Sequence, residues 1–129
     1  MRRTVRMAMA GMLAAAALSG GATAAVAESD DVIAEGLCSG RSDWKLKAGP
    51  ENGQLEVEFE VDSNVVGQVW GVRLLDNGTE FFRGVKRTTA PSGSFEVRRF
   101  IPNQAGTDTI QGQAKNPDTG EVCSGTIVI

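Results

Sequence analysis

The stretch Gln54–Asp62, QLEVEFEVD, alternates between apolar and acidic side chains without a break. Apolar residues stand at positions 55, 57, 59 and 61, and carboxylates stand at positions 56, 58, 60 and 62. Successive side chains of a β-strand point to opposite faces, whereas an α-helix would scatter a period of two around its axis. The stretch therefore predicts a half-buried strand, and it restricts the fold to classes that contain antiparallel sheets with one face in water.

Six further segments show short alternating runs and are separated by residues that favour turns. They are DWKLKA, QVWGVRLL, TEFFRGVKRT, SFEVRRFI, TDTIQGQA and VCSGTIVI. Asn52-Gly53 and Asp76-Asn77-Gly78 supply the positive φ angles that tight hairpin turns require. The run Arg98-Arg99-Phe100 interrupts the alternation and predicts a bulge or the end of a strand. About seven strands in a domain of this length predict an all-β fold, an immunoglobulin-like antiparallel β-sandwich.

Residues 1–27 have the pattern of a secretory signal peptide. MRRTVR carries three arginines, MAMAGMLAAAALSG is apolar, and Ala25-Val26-Ala27 provides an A-x-A cleavage site. We therefore expect Sec-type export, cleavage after Ala27 and a secreted, extracellular mature protein. An uncleaved N-terminal anchor is the alternative.

The mature chain is expected to contain a flexible N-terminal segment, residues 28–36, and the sandwich domain, residues 37–129. Its two cysteines, Cys38 and Cys123, enclose nearly the whole domain. An even number of cysteines in an exported chain predicts a disulfide bond, and two free thiols are the alternative.

The composition excludes several kinds of chemistry. Because the chain contains no histidine, it cannot form a Ser-His-Asp or Cys-His catalytic site or an H-E-x-x-H zinc site. Without residues 1–27, 10 Lys and Arg remain against 16 Asp and Glu, a net charge of −6 that does not suit a nucleic-acid partner. We expect no enzyme activity, no cofactor, no bound metal, no membrane contact after signal cleavage, and a monomer.

The acidic row of Gln54–Asp62 has three interpretations. Side chains two apart on a strand are roughly 6.5–7 Å apart, a separation compatible with glycosidase carboxylates, but such groups must face each other across a cleft. Calcium binding would need Asp62, Asn64 and Asp108 on loops at one end of the sandwich. We favour a solvent-facing row paired with basic residues across neighbouring strands, which stabilises a sheet modestly. The expected partners are Lys45, Lys47 and Arg98.

A run of basic residues in the middle of the chain is the second uneven distribution of charge in the sequence. It follows Phe81-Phe82, and because adjacent strand residues face opposite ways, one ring is expected to be exposed or half-exposed. An exposed ring beside arginine is how a small interface begins, and a mixed solvated face is the alternative. The candidate interaction residues are Phe81, Phe82, Arg83, Lys86 and Arg87. Arg73, Arg98 and Arg99 extend the run toward an anionic partner, such as a cell-wall polymer or an acidic protein.

CSGRSDWKLKA, the acidic strand, the Trp70 strand with its Asp-Asn-Gly hairpin, APSGSFEV and DTGEVCSG together resemble a group of small secreted actinobacterial proteins of unknown function. These proteins are regarded as immunoglobulin-like or fibronectin-like β-sandwiches, and the resemblance covers essentially the whole mature chain. It implies fold and export in a bacterium, and it implies no activity. The chain departs from antibody-type domains because its cysteines flank the first and last predicted strands.

Together these features predict a secreted, non-catalytic β-sandwich that binds a protein or a cell-envelope component through its loops or through residues 81–87. One alternative is a secreted protease inhibitor that presents a rigid loop, with residues 88–94 and 116–121 as the candidates. Another is a hydrolase that uses the carboxylates of Glu56, Glu58 and Glu60.

Overall fold

The computed structural model describes residues 30–129, so the predicted signal peptide lies outside the described residues. Asp31–Ile129 form one compact unit of eight β-strands, and the described residues contain no helix. The strands are β1 (Val32–Leu37), β2 (Asp43–Glu51), β3 (Gln54–Asp62), β4 (Val69–Asp76), β5 (Thr79–Arg87), β6 (Ser94–Pro102), β7 (Thr109–Lys115) and β8 (Val122–Val128).

The strands form two antiparallel four-stranded sheets. The first sheet has the order β1-β2-β3-β6, and the second has the order β5-β4-β7-β8. The chain passes between the sheets after β3, β5 and β6. The apolar faces of the two sheets pack on one core, so the prediction of an all-β sandwich is confirmed.

The alternating pattern of β3 builds the centre of the core. Its apolar row is fully buried, and its acidic row is half-buried on the outer face of the first sheet. From the second sheet, Trp70 and Leu74 close the core, and Trp70 contacts Phe95 with ring centroids 6.4 Å apart. Burying each large apolar side chain contributes about 1.5–3 kcal/mol to folding.

The structure differs from the sequence prediction at the start of the domain. Val32–Leu37, which includes residues 32–36 of the segment expected to be flexible, forms an edge strand that pairs in register with β2. Val32 and Ala34 pack against the core, and Gly36 leaves room for the ring of Trp44, which would lie 2.8 Å from a Cβ atom there. The extra strand raises the count from the expected seven to eight.

The expected interruption of β6 at Arg98-Arg99-Phe100 is wrong. Its pairing with β3 continues without a shift to Pro102, so Arg99 keeps an inward-facing position between Val97 and Ile101. The guanidinium of Arg99 lies over the ring of Phe82, 4.4 Å from its centroid. This cation–π contact joins β6 to β5 across the open side of the sandwich. It explains how a charged residue occupies a core-facing position at this edge.

The hairpin turns agree with the sequence prediction. Asn52 and Gly53, and likewise Asn77 and Gly78, have φ angles between 50° and 83°, as the two-residue turns of β2–β3 and β4–β5 require. The β4–β5 ladder also contains a register shift that leaves Phe81 as the extra residue.

The predicted disulfide between Cys38 and Cys123 is confirmed. Cys38 directly follows β1, the edge of the first sheet, and Cys123 lies in β8, the edge of the second. The bond therefore joins the two sheets along one side of the sandwich, across a separation of 85 residues in sequence.

Candidate functional site

Four loops come together at one end of the sandwich, which we call the loop end. They are residues 38–42, 63–68, 88–93 and 116–121, and the antiparallel pairing of the strands places all four at the same end. The opposite end, the turn end, carries the two-residue turns at Asn52 and Asn77 and the loop of residues 103–108. Most of the surface that is formed by loops and not by strands therefore lies at the loop end.

The loop of residues 63–68 is fixed at its base by two buried hydroxyl groups. Ser63 Oγ accepts a hydrogen bond from Val65 N at 3.2 Å and donates to Gly93 O at 3.2 Å. Thr88 Oγ1 donates to Val65 O at 2.6 Å and accepts from Gln68 N at 2.8 Å. Because these hydrogen bonds hold both ends of the loop, its backbone is ordered before any ligand binds.

Gly93 is required where this loop meets its neighbour. Its φ angle is 77°, and a Cβ atom there would lie 2.4 Å from Val65 N. Both the backbone conformation and the close approach demand glycine. The residue lets the loops of residues 63–68 and 88–93 pack directly on each other.

The tip of the 63–68 loop is apolar. Val65 and Val66 are 50% and 55% exposed, between Asn64 and Gly67, both of which adopt positive φ angles. Two adjacent valines held in water on an anchored loop differ from scattered surface apolar residues, because the hydrogen bonds below prevent the loop from folding them inward. They form an exposed apolar feature of the loop end, as does Leu37 at the end of β1.

The loop of residues 38–42 is held by the carboxylate of Glu121. Glu121 Oε2 accepts hydrogen bonds from Gly40 N at 3.0 Å and from Ser42 N at 2.8 Å, and Oε1 accepts from Ser42 Oγ at 2.9 Å. Ser39 adds a main-chain hydrogen bond to Val122 O. With the adjacent disulfide, these contacts fix the loop against β8.

The loop of residues 116–121 is a closed turn organised by the buried side chain of Asn116. Its Oδ1 accepts hydrogen bonds from Asp118 N at 2.9 Å and Thr119 N at 3.2 Å, and Gly120 N donates to Asn116 O at 2.7 Å. This arrangement explains the Asp118-Thr119-Gly120 sequence as a turn motif, since asparagine side chains commonly mimic a backbone turn.

A cleft of about 540 Å³ lies between three of these loops. Its walls are residues 39–42, 63–65 and 119–121, and Gln68 also lines it. Gln68 Oε1 is buried beneath the cleft and has no hydrogen-bond partner among the described residues. The cleft and the valine tip form one continuous candidate binding surface.

The sequence-predicted interaction residues lie on β5, away from this surface. Phe81 and Phe82 are both half-buried and pack against the core, so neither ring stands free in water. Lys86 stands opposite Trp70, on the side of the sheet that faces the core, and is half-buried at the open edge. The structure therefore does not bring these three residues together with the arginines as one exposed patch.

Arg83 and Arg87 do face outward from the second sheet. Arg83 and Arg73 stand directly opposite each other and share Glu80, whose Oε2 is 2.8 Å from Arg83 Nη2 and 3.1 Å from Arg73 Nε. The hydrogen bond from Arg83 is the largest cause that holds the pKa of Glu80 below its ordinary value. Arg98 and Arg99 belong to the first sheet, so the basic run is divided between two surfaces.

The acidic row of β3 faces outward between β2 and β6, as predicted. Arg98 Nε lies 3.2 Å from Glu56 Oε2, and Lys47 Nζ lies 3.7 Å from Glu58 Oε2. The register also places Glu60 opposite Glu96, a like-charge pair that the sequence did not predict. Burial and the nearby carboxylate of Glu58 raise the pKa of Glu96 above its ordinary value. The row is a charge-paired surface in which no cleft separates two carboxylates.

A carboxyl pair lies instead at the turn end. Asp76 closes β4 and Asp108 precedes β7, and their side chains are only 9% and 1% exposed. Burial, a hydrogen bond to Asp108 and the charge of Asp108 raise the pKa of Asp76 to about 6. Asp76 therefore takes up a proton at a higher pH than an ordinary aspartate, and the cleft lies at the opposite end of the sandwich.

The calcium interpretation is not supported by the placement of its residues. Asp62 and Asn64 lie at the loop end, whereas Asp108 lies at the turn end. Within residues 30–129, no three Asp, Glu or Cys side chains come together as a metal site. The same residues include no helix of the length and apolarity that a bilayer span requires.

Comparison of the sequence with models of known protein families and with curated proteins gives no match. The function is therefore inferred from the fold and from the geometry of its surfaces.

Proposed function

We propose that this chain is an exported, non-catalytic binding module that uses its loop end to hold a protein or another component at or outside the cell envelope. Its sandwich acts as a rigid support, and the cleft and the valine tip supply the contacts. An immunoglobulin-like classification is part of this proposal, and two facing antiparallel sheets with repeated crossovers between them support it.

One observation carries the proposal: buried polar side chains at the loop end hold its loops through hydrogen bonds within and between them. These side chains are Ser42, Ser63, Thr88 and Asn116. Burying a polar group is unfavourable unless it is hydrogen-bonded, so four such groups at one end indicate loops that are built to keep one conformation. A surface ordered in advance binds more tightly, because little conformational entropy is lost on association.

Export is supported by the disulfide. Disulfide bonds persist in oxidising compartments and are rare in the reducing cytosol. The predicted signal peptide of residues 1–27 is consistent with that compartment and remains a prediction from the sequence.

The non-catalytic part of the proposal is supported by the placement of the ionisable groups. The carboxyl groups with a raised pKa, Asp76 and Glu96, both lie outside the lining of the cleft. The lining of the cleft contains one carboxylate, Glu121, and both of its oxygens are already occupied by the 38–42 loop. Acid–base catalysis needs a proton-transferring group within reach of a bound substrate.

One observation supports the protease-inhibitor alternative, and another argues against it. Both candidate loops do lie at the loop end, and the loop of residues 116–121 adjoins Cys123 of the disulfide. Each is closed by a short main-chain hydrogen bond, however, from Gly93 N to Thr89 O at 2.8 Å and from Gly120 N to Asn116 O at 2.7 Å. An extended segment that enters a protease cleft would have to break these turns, so we favour the binding module.

Replacing Val65 and Val66 by serine is expected to abolish binding by the loop end while leaving the fold intact. The purified domain is incubated with culture supernatant and cell-envelope fractions, and retained components are identified by mass spectrometry. The matched control is Val128→Ser at the turn end, because Val128 is 55% exposed, as is Val66. We expect a component that wild type and V128S retain and that the double variant loses by at least about tenfold, as expected for an interface centre worth more than 1.4 kcal/mol. Equal retention by all three proteins would contradict the proposal.

A further inference from the structure

The two sheets of the sandwich carry opposite charge. The strands of the first sheet contain eight acidic and four basic residues, and those of the second contain two acidic and five basic residues. The acidic residues of the second sheet are Asp76, which is buried, and Glu80. Its basic residues are Arg73, Arg83, Lys86, Arg87 and Lys115. A chain that is acidic overall thus presents one locally basic surface, and this segregation appears only when the strands are sorted into sheets.

We call the outer surface of the second sheet the basic face. The register places Arg73, Arg83, Arg87 and Lys115 on this surface, because each alternates with residues that face the core. Arg73 and Arg83 stand directly opposite each other, an arrangement that destabilises a sheet unless an anion lies between them. Glu80 neutralises one of the two, and Lys115 forms no ion pair within the described residues. A net positive charge therefore remains available to a partner.

A trough crosses the basic face above Gly71. A Cβ atom at this position would meet nothing nearer than Lys115 O at 3.9 Å, so the central strand has an open floor there. The trough measures about 520 Å³, and its lining contains three cations, one amide, one hydroxyl and one exposed aliphatic side chain. Its walls include Arg73, Arg83, Gln113, Lys115, Val122 and Ser124.

The chemistry of this lining selects the kind of partner. Guanidinium groups bind phosphate and carboxylate through paired N–H donors, and an ammonium adds a point charge. Protein partners with high affinity usually insert aromatic or large apolar anchors into pockets, and this shallow trough offers none. The basic face carries no aromatic ring on which a neutral sugar would stack. These features favour a flexible chain of anionic groups over a globular protein or a neutral glycan.

We propose that the basic face binds an extended non-protein polyanion, a linear polymer whose phosphate or carboxylate groups meet Arg73, Arg83 and Lys115 along the trough above Gly71. The site is separate from the loop end, so the protein has two surfaces with different partners. In a secreted molecule this arrangement would retain the module on an anionic matrix while its loops engage a second component.

The test uses the mature protein, residues 28–129, and two probes, inorganic polyphosphate and polygalacturonate, with dextran as the neutral polymer. Binding is measured by isothermal titration calorimetry in 20 mM and 200 mM NaCl. The test variant is Arg83→Gln with Lys115→Gln. The control is Lys45→Gln with Arg98→Gln, which removes the same charge from the first sheet. Arg83→Lys with Lys115→Arg keeps the charge and serves as the rescue.

We expect wild type to bind at least one polyanion and not dextran. Affinity should fall about 100-fold over the tenfold increase in salt, as for roughly three cation–anion contacts on a flexible strand. The test variant should lose at least about tenfold at low salt, and the control and rescue should stay within about threefold of wild type. Binding of only one probe would assign phosphate or carboxylate. Binding of neither, equal loss in test and control variants, or salt-independent binding would overturn the proposal. Thermal unfolding of every variant checks that the substitutions have not disrupted the fold.

Discussion

Replacing Cys38 and Cys123 by alanine is expected to lower the free energy of unfolding by about 4–5 kcal/mol. The bond closes a loop of 85 residues, nearly the whole domain, so its absence greatly increases the freedom of the unfolded chain. It also joins edge strands of the two sheets at the point where Ser39 pairs with Val122. A loss of this size would shift the thermal midpoint of a domain of this length by roughly 20 °C or more.

Chemical denaturation with guanidinium measures this effect. Wild type treated with a reducing agent is the matched control, because reduction should bring its midpoint to that of the double variant and leave the variant unchanged. A loss below about 1 kcal/mol in both measurements would show that core packing, and not the disulfide, holds the sheets together.

Replacing Asp76 by asparagine is expected to stabilise the protein at neutral and alkaline pH by an amount on the order of 2–3 kcal/mol. The pKa of Asp76 is raised to about 6, first by burial and then by its neighbour Asp108. At pH 8 the folded wild type must therefore keep the buried carboxylate of Asp76 charged beside Asp108. An amide at position 76 carries no charge and donates a hydrogen bond to Asp108.

The sign of the pH dependence follows from the raised pKa. The folded protein binds the proton of Asp76 more tightly than the unfolded chain does, so the stability from Asp76 is fully present below its ordinary pKa of 3.8. That stability is lost as the pH rises through about 6. The advantage of Asp76→Asn should thus be largest at pH 8 and should vanish near pH 4.

Denaturation curves at pH 4, 6 and 8 test this expectation. Asp118→Asn is the matched control, since Asp118 is exposed in the turn of residues 116–121 and the substitution has the same chemistry. A variant at position 76 that is less stable than wild type at pH 8, or whose difference from wild type does not change with pH, would contradict the raised pKa of Asp76.

The sheet pattern was predictable because local sequence determines it. Alternation in β3 fixes both its inner and its outer row, and Asn-Gly pairs at residues 52–53 and 77–78 carry the φ angles of their turns. The neighbours of β3 also followed from fold topology, which placed Glu58 beside Lys47 and Arg98. The turns depend on two adjacent residues, and the cross-strand charge pairs depend only on the order of the strands in the sheet.

The failures arise where distant residues decide the outcome. β1 has a weak alternating pattern. It becomes a strand because it pairs with the edge of β2 and packs against the ring of Trp44. Arg99 keeps its place in β6 because Phe82, on the other sheet, receives its guanidinium. Local sequence contains neither partner.

The candidate site was missed for a related reason. Val65 and Val66 stand between two turn-forming residues, a signal that is visible in the sequence, but their exposure depends on hydroxyl groups at Ser63 and Thr88 that anchor the loop. The pairing of Asp76 with Asp108 likewise joins a strand end to a distant loop. The opposite charges of the two sheets emerge only from the strand order.

The central claim is that the loop end is rigid before it binds anything, and backbone amide relaxation by NMR tests this on the free protein. If the hydrogen bonds of Ser63 and Thr88 hold the loop, the order parameters of Val65 and Val66 should be about 0.85, equal to those of the neighbouring strands. Values below about 0.6 at these two residues, with the strands still rigid, would contradict the claim of a preformed binding surface.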